Sequence, residues 1–327
     1  MKKMSIMTEE FSETKPNFFL VGAMKAATTS VATALDKHPD VFNCPIKEPN
    51  FFCTDINQLD FQQNYLNSMI VDPDDFVEKN ILFPVHAAHV KKKKTYSHLF
   101  ESATGKVAIG EFSTSYLYST EASKNIHEAC PNSKIIIILR NPIERAFSEY
   151  LMNVRIGKET RSFSEAVEYE VFNSNLRWGQ KPGLYVEAGL YYEQVKRYLD
   201  LFRSDQVLIL LHEDLCNDFA KIMTQICNHI GVEPISEVLK SIKMNEKKKA
   251  RFNTVNVFLH KSGIKKFISR YLPNKFICMV KGIYYKSSVD HILSNEEKLM
   301  LLKYFNEDIC NLSVLISRDL KAWLECK

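Results

Sequence analysis

Four short apolar runs punctuate the chain: FFLV at 18–21, VAIG at 107–110, KIIIIL at 134–139 and VLILL at 207–211. Runs of this length without a polar alternate suit strands covered on both faces, as in the centre of a parallel sheet. KIIIIL is the strongest of them, β-branched through its middle. Between the runs, helical sequence occupies 26–35, 142–154, 160–171, 189–202 and 217–230. The pair His38-Pro39 breaks the first of these helices. Pro142 stands where proline suits a first helical position, and Gly231 closes the 217–230 stretch. Near the C-terminus, Ser294-Asn295-Glu296-Glu297 reads as a capping box. Leu302, Phe305, Ile309 and Leu312 then recur at helical spacing as a core-facing stripe.

Strands alternating with helices predict an α/β fold of three layers, a central parallel sheet flanked by helices, of the doubly wound or P-loop-like kind. Residues 1–16 are polar and read as a disordered lead-in, and 17–327 read as one domain, with no internal repeat or low-complexity linker. The stretch 40–105, with Pro45, Pro49, Pro73 and Pro84, predicts an irregular insertion carrying short helices. Its run Lys91–Lys94 reads as a solvated helix face. A loop is expected at 173–183, around Trp178, Gly179, Pro182 and Gly183, and a basic loop at 245–256.

Composition narrows the class. The chain has 327 residues, 45% hydrophobic and 25% charged, enough for a large core. A net charge of +4 suits an anionic small ligand and falls short of a dedicated nucleic-acid binder. No apolar run approaches the roughly 18 residues that span a membrane, and the first residues carry no apolar signal region, so a cytoplasmic protein is expected. The eight cysteines are scattered without a C-x-x-C pair, which predicts reduced thiols and no zinc site.

Chemistry concentrates after two of the strands. Following the first comes Gly22, then Lys25-Ala26-Ala27-Thr28-Thr29-Ser30. A tight turn into a helix presents free amides and about half a positive charge, and Lys25 and three hydroxyls add to it, so a phosphate or sulfate is the natural ligand. It is not a Walker A loop, because no second glycine precedes a Lys-Ser/Thr pair. Following KIIIIL comes Arg140, where a planar two-donor group would grip a phosphate beyond a strand's carboxyl end, with Ser148 eight residues on in the next helix. Two anion sites suggest one ligand with two separated charges. Each residue also has a plainer reading: Lys25 as a solvated surface residue, Arg140 as a structural ion-pairing residue, Ser148 as helix surface.

Taken together, these segments resemble the PAPS-dependent sulfotransferases (3′-phosphoadenosine 5′-phosphosulfate as donor, PAP as product). Lys25 to Ser30 is similar to that family's 5′-phosphosulfate loop, and Leu139-Arg140-Asn141-Pro142 through Ser148 to its 3′-phosphate segment. The resemblance runs on through GEFSTSYLY at 110–118, Glu213-Asp214-Leu215 and the DLKAWL near the C-terminus. Lys47-Glu48-Pro49-Asn50-Phe51-Phe52 resembles the bacterial and heparan-sulfate-type branch, in which the glutamate is the catalytic base. The resemblance therefore implies Glu48 as general base, with a loop glutamate paired to Lys47 as the structural alternative. It implies Lys25 as the cation on the leaving phosphate, and Lys25, Ala26, Ala27, Thr28, Thr29 and Ser30 around the 5′-phosphate. Arg140 and Ser148 would take the 3′-phosphate, and Lys249 and Arg251 would belong to a basic loop closing over the donor. No metal is implied.

Two departures stand out. Met24 replaces a basic residue common in the heparan type, and Glu111-Phe112-Ser113-Thr114 lacks that branch's second lysine. The acceptor expected is a small-molecule hydroxyl or amine, with a carbohydrate or glycolipid as alternative. Phe52, Ser113, Tyr116 and Trp178 are its candidate contacts, or else core. Neither nucleic acid nor a membrane span is expected, and the oligomeric state is left open. A nucleotide-dependent kinase and a nucleic-acid module using the lysine runs are the rival readings.

Overall fold

The computed structural model describes residues 14–66, 73–74, 85–86, 88–240, 248–250, 285–287 and 293–325. The chain divides into two compact units interleaved in sequence. The first comprises Met1–Asp55, Val71–Arg140 and Glu193–Ile242, and the second Ile56–Ile70, Asn141–Tyr192 and Lys243–Lys327.

The first unit is built on a parallel sheet. Strands β1 (Phe18–Gly22), β2 (Val41–Asn43), β5 (Ala108–Phe112), β6 (Lys134–Leu139) and β7 (Val207–Leu211) lie in the order β2-β5-β1-β6-β7. The short strands β3 (Ile46–Lys47) and β4 (Val85–His86) pair separately, also in parallel. β1 lies between β5 and β6, so the chain fills one side of β1 with β2 and β5, then crosses to the other with β6 and β7. In an open α/β sheet that reversal opens a crevice at the strands' carboxyl ends. The apolar runs earn their central places: all five residues of β1 and Ile135 to Leu139 of β6 are buried. Each such aliphatic or aromatic side chain contributes roughly 1.5–3 kcal/mol over an exposed one. Gly22 is required by close approach, since a Cβ there would stand 2.7 Å from that of Leu117.

Two elements of this unit differ from the sequence reading. β2 falls in the stretch expected to be irregular, and its three residues pair with β5 from Val41↔Ala108 to Asn43↔Gly110. The helix expected over 217–230 is Phe219–Ile230, started by Asp218, whose side chain caps the amide of Lys221, and a short helix not expected from the sequence, His212–Asn217, precedes it. In the run Lys91–Lys94, three lysines are exposed as expected, while Lys93 is buried.

The second unit is helical where described, apart from one antiparallel pair. Helix Pro142–Ile156 starts on Asn141, whose Oδ1 accepts the Ile143 amide at 2.9 Å, and ends on Gly157 with a left-handed φ of 78°. Helix Phe163–Phe172 carries a capping box from Ser162 and Glu165. The capping box read at Ser294 is present and opens helix Asn295–Leu315, whose buried side is Leu301, Phe305, Ile309 and Leu312. Leu301 takes the place expected for Leu302. Within the stretch expected to be a basic loop, β8 (Lys248–Ala250) pairs with β9 (Tyr285–Ser287), setting Lys249 opposite Lys286. Among the described residues no helix is long and apolar enough to cross a membrane.

Candidate active site

At the carboxyl end of β1 the chain turns through residues 23–27 into helix Thr28–Leu35. Lys25 and Ala27 both adopt left-handed backbone, with φ of 69° and 63°. Left-handed residues set close together turn successive amides toward one concavity, the geometry of an anion nest. The loop is fixed from below and beside: the Ala23 amide donates to the Ile138 carbonyl at 2.7 Å, and Arg140 Nη1 donates to the Lys25 carbonyl at 3.1 Å. Ser30 and Val31 return their amides to the Ala27 carbonyl, while no side chain caps the helix. The amides of Thr28 and Thr29, ahead of them, are left to an outside partner. Beside this end, at the start of the segment after β7, His212 is pushed down to about 4 by burial and then by the Arg140 charge.

A second turn of the first unit that carries an expected residue lies at Glu48–Phe52. The Glu48 amide donates to the Phe112 carbonyl at the end of β5, at 2.8 Å. Glu48 and Asn50 are both left-handed, with φ of 68° and 54°. The Glu48 carboxylate takes Lys47 Nζ at 2.9 Å and the Thr114 hydroxyl at 3.2 Å on Oε1. The segment 88–90 runs alongside, Ala88 donating to the Glu48 carbonyl at 3.0 Å and Val90 to the Pro49 carbonyl at 2.9 Å. Its His89 is pushed down to about 4 by burial, against the opposing pull of the Glu48 charge. Beneath the turn, Glu111 is fully buried and accepts three hydroxyls, from Ser113 at 2.6 Å, Tyr96 at 2.8 Å and Tyr116 at 2.9 Å. Burial pushes its carboxyl up to about 7, and the three hydrogen bonds oppose that shift.

A family model described as the sulfotransferase family matches residues 16–237. The chain belongs to the sulfotransferase family. Carbohydrate sulfotransferase 15 of Mus musculus is 26% identical over 260 residues, covering 68% of this chain and 45% of that protein. Bifunctional heparan sulfate N-deacetylase/N-sulfotransferase 3 of Homo sapiens is 29% identical over 237 residues, covering 69% of this chain and 23% of that protein. The match thus spans less than half the length of these curated relatives. The crystal structure of a sulfotransferase from Alicyclobacillus acidocaldarius superposes with a TM-score of 0.65 at 27% identity, covering 95% of this chain and 99% of that one. The three-layer α/β fold read from the sequence is therefore the sulfotransferase fold.

Within this chain the expected residues fall into distinct settings. Lys25, Ala26, Ala27, Thr28, Thr29 and Ser30 form the β1 loop and first helical turn; Thr28 and Ser30 are buried and Thr29 is exposed. Arg140 meets that loop through the Lys25 carbonyl. Glu48 has the ion pair with Lys47 that the sequence had allowed. Ser148 is half-buried on helix Pro142–Ile156 of the second unit. Lys249 lies on β8, and Arg251 lies outside the described residues.

The four expected acceptor contacts are buried, for identifiable reasons. Phe52 packs edge-on against Phe19, Phe51, Tyr96 and Tyr116. Ser113 and Tyr116 direct their hydroxyls at Glu111. Trp178, only 7% exposed, precedes Gly179, whose carbonyl takes the Gln62 amide at 2.9 Å. Glu111, Asn50 and Tyr96 were not singled out in the sequence. The available signal was Glu111 itself, a lone charge in the apolar strand AIGEF. Among the described residues, no three His, Cys, Asp or Glu side chains gather as metal ligands would.

Proposed function

We propose that this chain transfers a sulfuryl group from PAPS to a hydroxyl of a carbohydrate-like acceptor, with Glu48 as general base. The observation that carries the reading is the β1 loop, with its two left-handed residues and its helix N-terminus left uncapped by any side chain. Converging amides, the helix dipole and Lys25 together favour a doubly charged phosphate group. Lys25, Ala26, Ala27, Thr28, Thr29 and Ser30 are assigned to the 5′-phosphosulfate. Arg140 is assigned to the 3′-phosphate, with Ser148 as the second ligand the family resemblance implies. Lys249 and Arg251 keep the donor-binding role that the family resemblance implies.

Bound there, the donor supplies an electrophilic sulfur. Glu48 takes the proton of the acceptor hydroxyl as the new oxygen–sulfur bond forms. The bond between sulfur and the bridging phosphate oxygen breaks, and Lys25 neutralises the charge left on that oxygen as PAP departs. A positioned carboxylate base of this kind contributes typically about 10²–10⁴-fold. The names of the curated relatives weigh toward a sugar hydroxyl over the small metabolite expected from sequence.

The test is thermal unfolding with 3′-phosphoadenosine 5′-phosphate, with ATP–Mg²⁺ and adenosine 5′-phosphate as controls. At 100 times the dissociation constant the bisphosphate adds about 2.7 kcal/mol of stability. The expected result is selective stabilisation, lost in Arg140→Ala. A shift with ATP–Mg²⁺ and none with the bisphosphate would overturn the reading in favour of a kinase. A panel of desulfated polysaccharides and phenyl glycosides, with Glu48→Gln as the inactive control, then addresses the acceptor.

A further inference from the structure

The turn that carries Glu48 is an expensive piece of backbone. Two non-glycine residues two apart, Glu48 and Asn50, are left-handed. Each such residue costs on the order of 1–3 kcal/mol and persists only where its surroundings over-determine it. Asn50 is held at every polar atom. Its Nδ2 donates to the carbonyls of Glu48 and Ala88, both at 2.8 Å, and its Oδ1 accepts the Ser115 hydroxyl at 2.5 Å. Its own amide donates to Ser113 Oγ at 3.1 Å. Two residues on, the Phe52 amide donates to the Tyr116 hydroxyl oxygen at 3.3 Å.

Those last two bonds share a cause. A hydroxyl has one proton, and it accepts well only where that proton is pointed elsewhere. Ser113 gives its proton to Glu111 Oε1 and Tyr116 gives its proton to Glu111 Oε2. The one buried carboxylate thus aims both hydroxyls downward and leaves their lone pairs facing the amides of Asn50 and Phe52. Tyr96 donates to the same Oε2 and stacks on Phe51 with ring centroids 4.2 Å apart, so the third donor also touches the turn.

We propose that Glu111 is a positioning residue for catalysis: through Ser113 and Tyr116 it fixes the Glu48–Phe52 turn and so aims the Glu48 carboxylate at the acceptor. This rests on the reading of Glu48 as base. Glu111 touches neither substrate nor Glu48 itself; it acts by setting which way two hydroxyls point. Loss of that orientation frees Asn50 to relax from left-handed backbone, and a misplacement of about 1 Å at a reacting group costs about 10²-fold in rate.

The variants are Glu111→Ala, Glu111→Gln and Ser113→Ala. The assay is PAP release from PAPS, with water and with the best acceptor of the panel, and kcat is counted per bisphosphate-binding site so that unfolded material drops out. The expected result is a fall in kcat of about 10–100-fold in Glu111→Ala and Ser113→Ala. KM for PAPS and the bisphosphate melting shift stay within twofold of the parent. Glu111→Gln keeps a carbonyl oxygen for Ser113 and recovers most of the rate. If Glu111→Ala does not fold, Ser113→Ala carries the test, because it removes the link to Asn50 while leaving Glu111 the Tyr96 and Tyr116 hydroxyls. Parent-like kcat in Ser113→Ala, or a loss carried wholly by KM for PAPS, overturns the positioning role. Glu48→Gln separates the two failures. If it abolishes turnover while Ser113→Ala does not reduce it, the base stands and the proposal falls. If Glu48→Gln turns over like the parent, the base assignment falls and takes the proposal with it.

Discussion

Each unit buries a carboxyl whose ordinary value is pushed up to about 7 by burial, and the two are satisfied differently. In the first unit Glu111 is ringed by three uncharged hydroxyls. In the second, Glu170 takes the backbone amides of Val186 and Glu187 at 2.8 and 2.9 Å and lies 3.9 Å from the buried Lys181 Nζ. Around it Glu149 pairs with the fully buried Arg145 at 2.8 Å, and Glu159 pairs with Arg161 at 3.0 Å. Arg145 also donates to the carbonyls of Leu184 and Tyr185, so charges here suspend a stretch of backbone at 184–187. The difference is one of purpose. Hydroxyls can be re-aimed, so a carboxylate among them controls direction; a guanidinium among carboxylates and carbonyls is a fixed brace.

The sharpest way to break this contrast is Arg145→Met. It strips Glu149 of its ion-pair partner and leaves two carbonyls unpaired in the interior. Loss of one partner of a buried pair costs about 3–5 kcal/mol. The urea midpoint, followed by circular dichroism, is expected to fall accordingly, and a cost below about 1 kcal/mol would mean the second unit relies on packing instead.

Acidity tests both carboxyls together. Each is raised from 4.5 to about 7, so each stabilises the fold in full below the unfolded value and loses that contribution as the pH rises through about 7. Stability measured by denaturant is therefore expected to decline as the pH rises from about 4.5 through about 7. Glu111→Gln removes the first unit's part of that slope and Glu170→Gln the second's. A slope untouched by either substitution would assign it to other groups.

The sequence made the sheet legible and left its edge and its site's foundation hidden. β1 and β6 are runs buried along their length, as a doubly covered strand is, whereas β7, read from the same kind of run, is the edge strand and leaves Val207 to Ile209 half-buried. β2, three residues with one buried, has no pattern to read, and its place follows from pairing with β5. Glu48 and the Lys25 loop stood out because their chemistry is contiguous in the chain. Glu111 did not, because its three donors lie 15 residues before it and two and five after it, on separate elements. From sequence Ser113 and Tyr116 are candidate acceptor contacts, and only burial distinguishes a hydroxyl facing a ligand from one facing a carboxylate.

The finest test concerns how many hydroxyls Glu111 needs. Tyr96→Phe deletes one of three donors and keeps the ring that stacks on Phe51. A hydrogen bond to a charged group contributes about 1.5–3 kcal/mol, and two donors remain, so a loss near the lower end is expected in chemical unfolding. The Tyr96 hydrogen bond also holds the Glu111 carboxyl down, so its removal moves the pH at which the first unit's contribution is lost upward. Measured in the Glu111→Gln background, the same deletion is expected to cost less, since no charge remains to be satisfied. No loss in the parent background would mean that Tyr96 serves packing alone, and that two hydroxyls suffice to hold the carboxylate beneath the Glu48 turn.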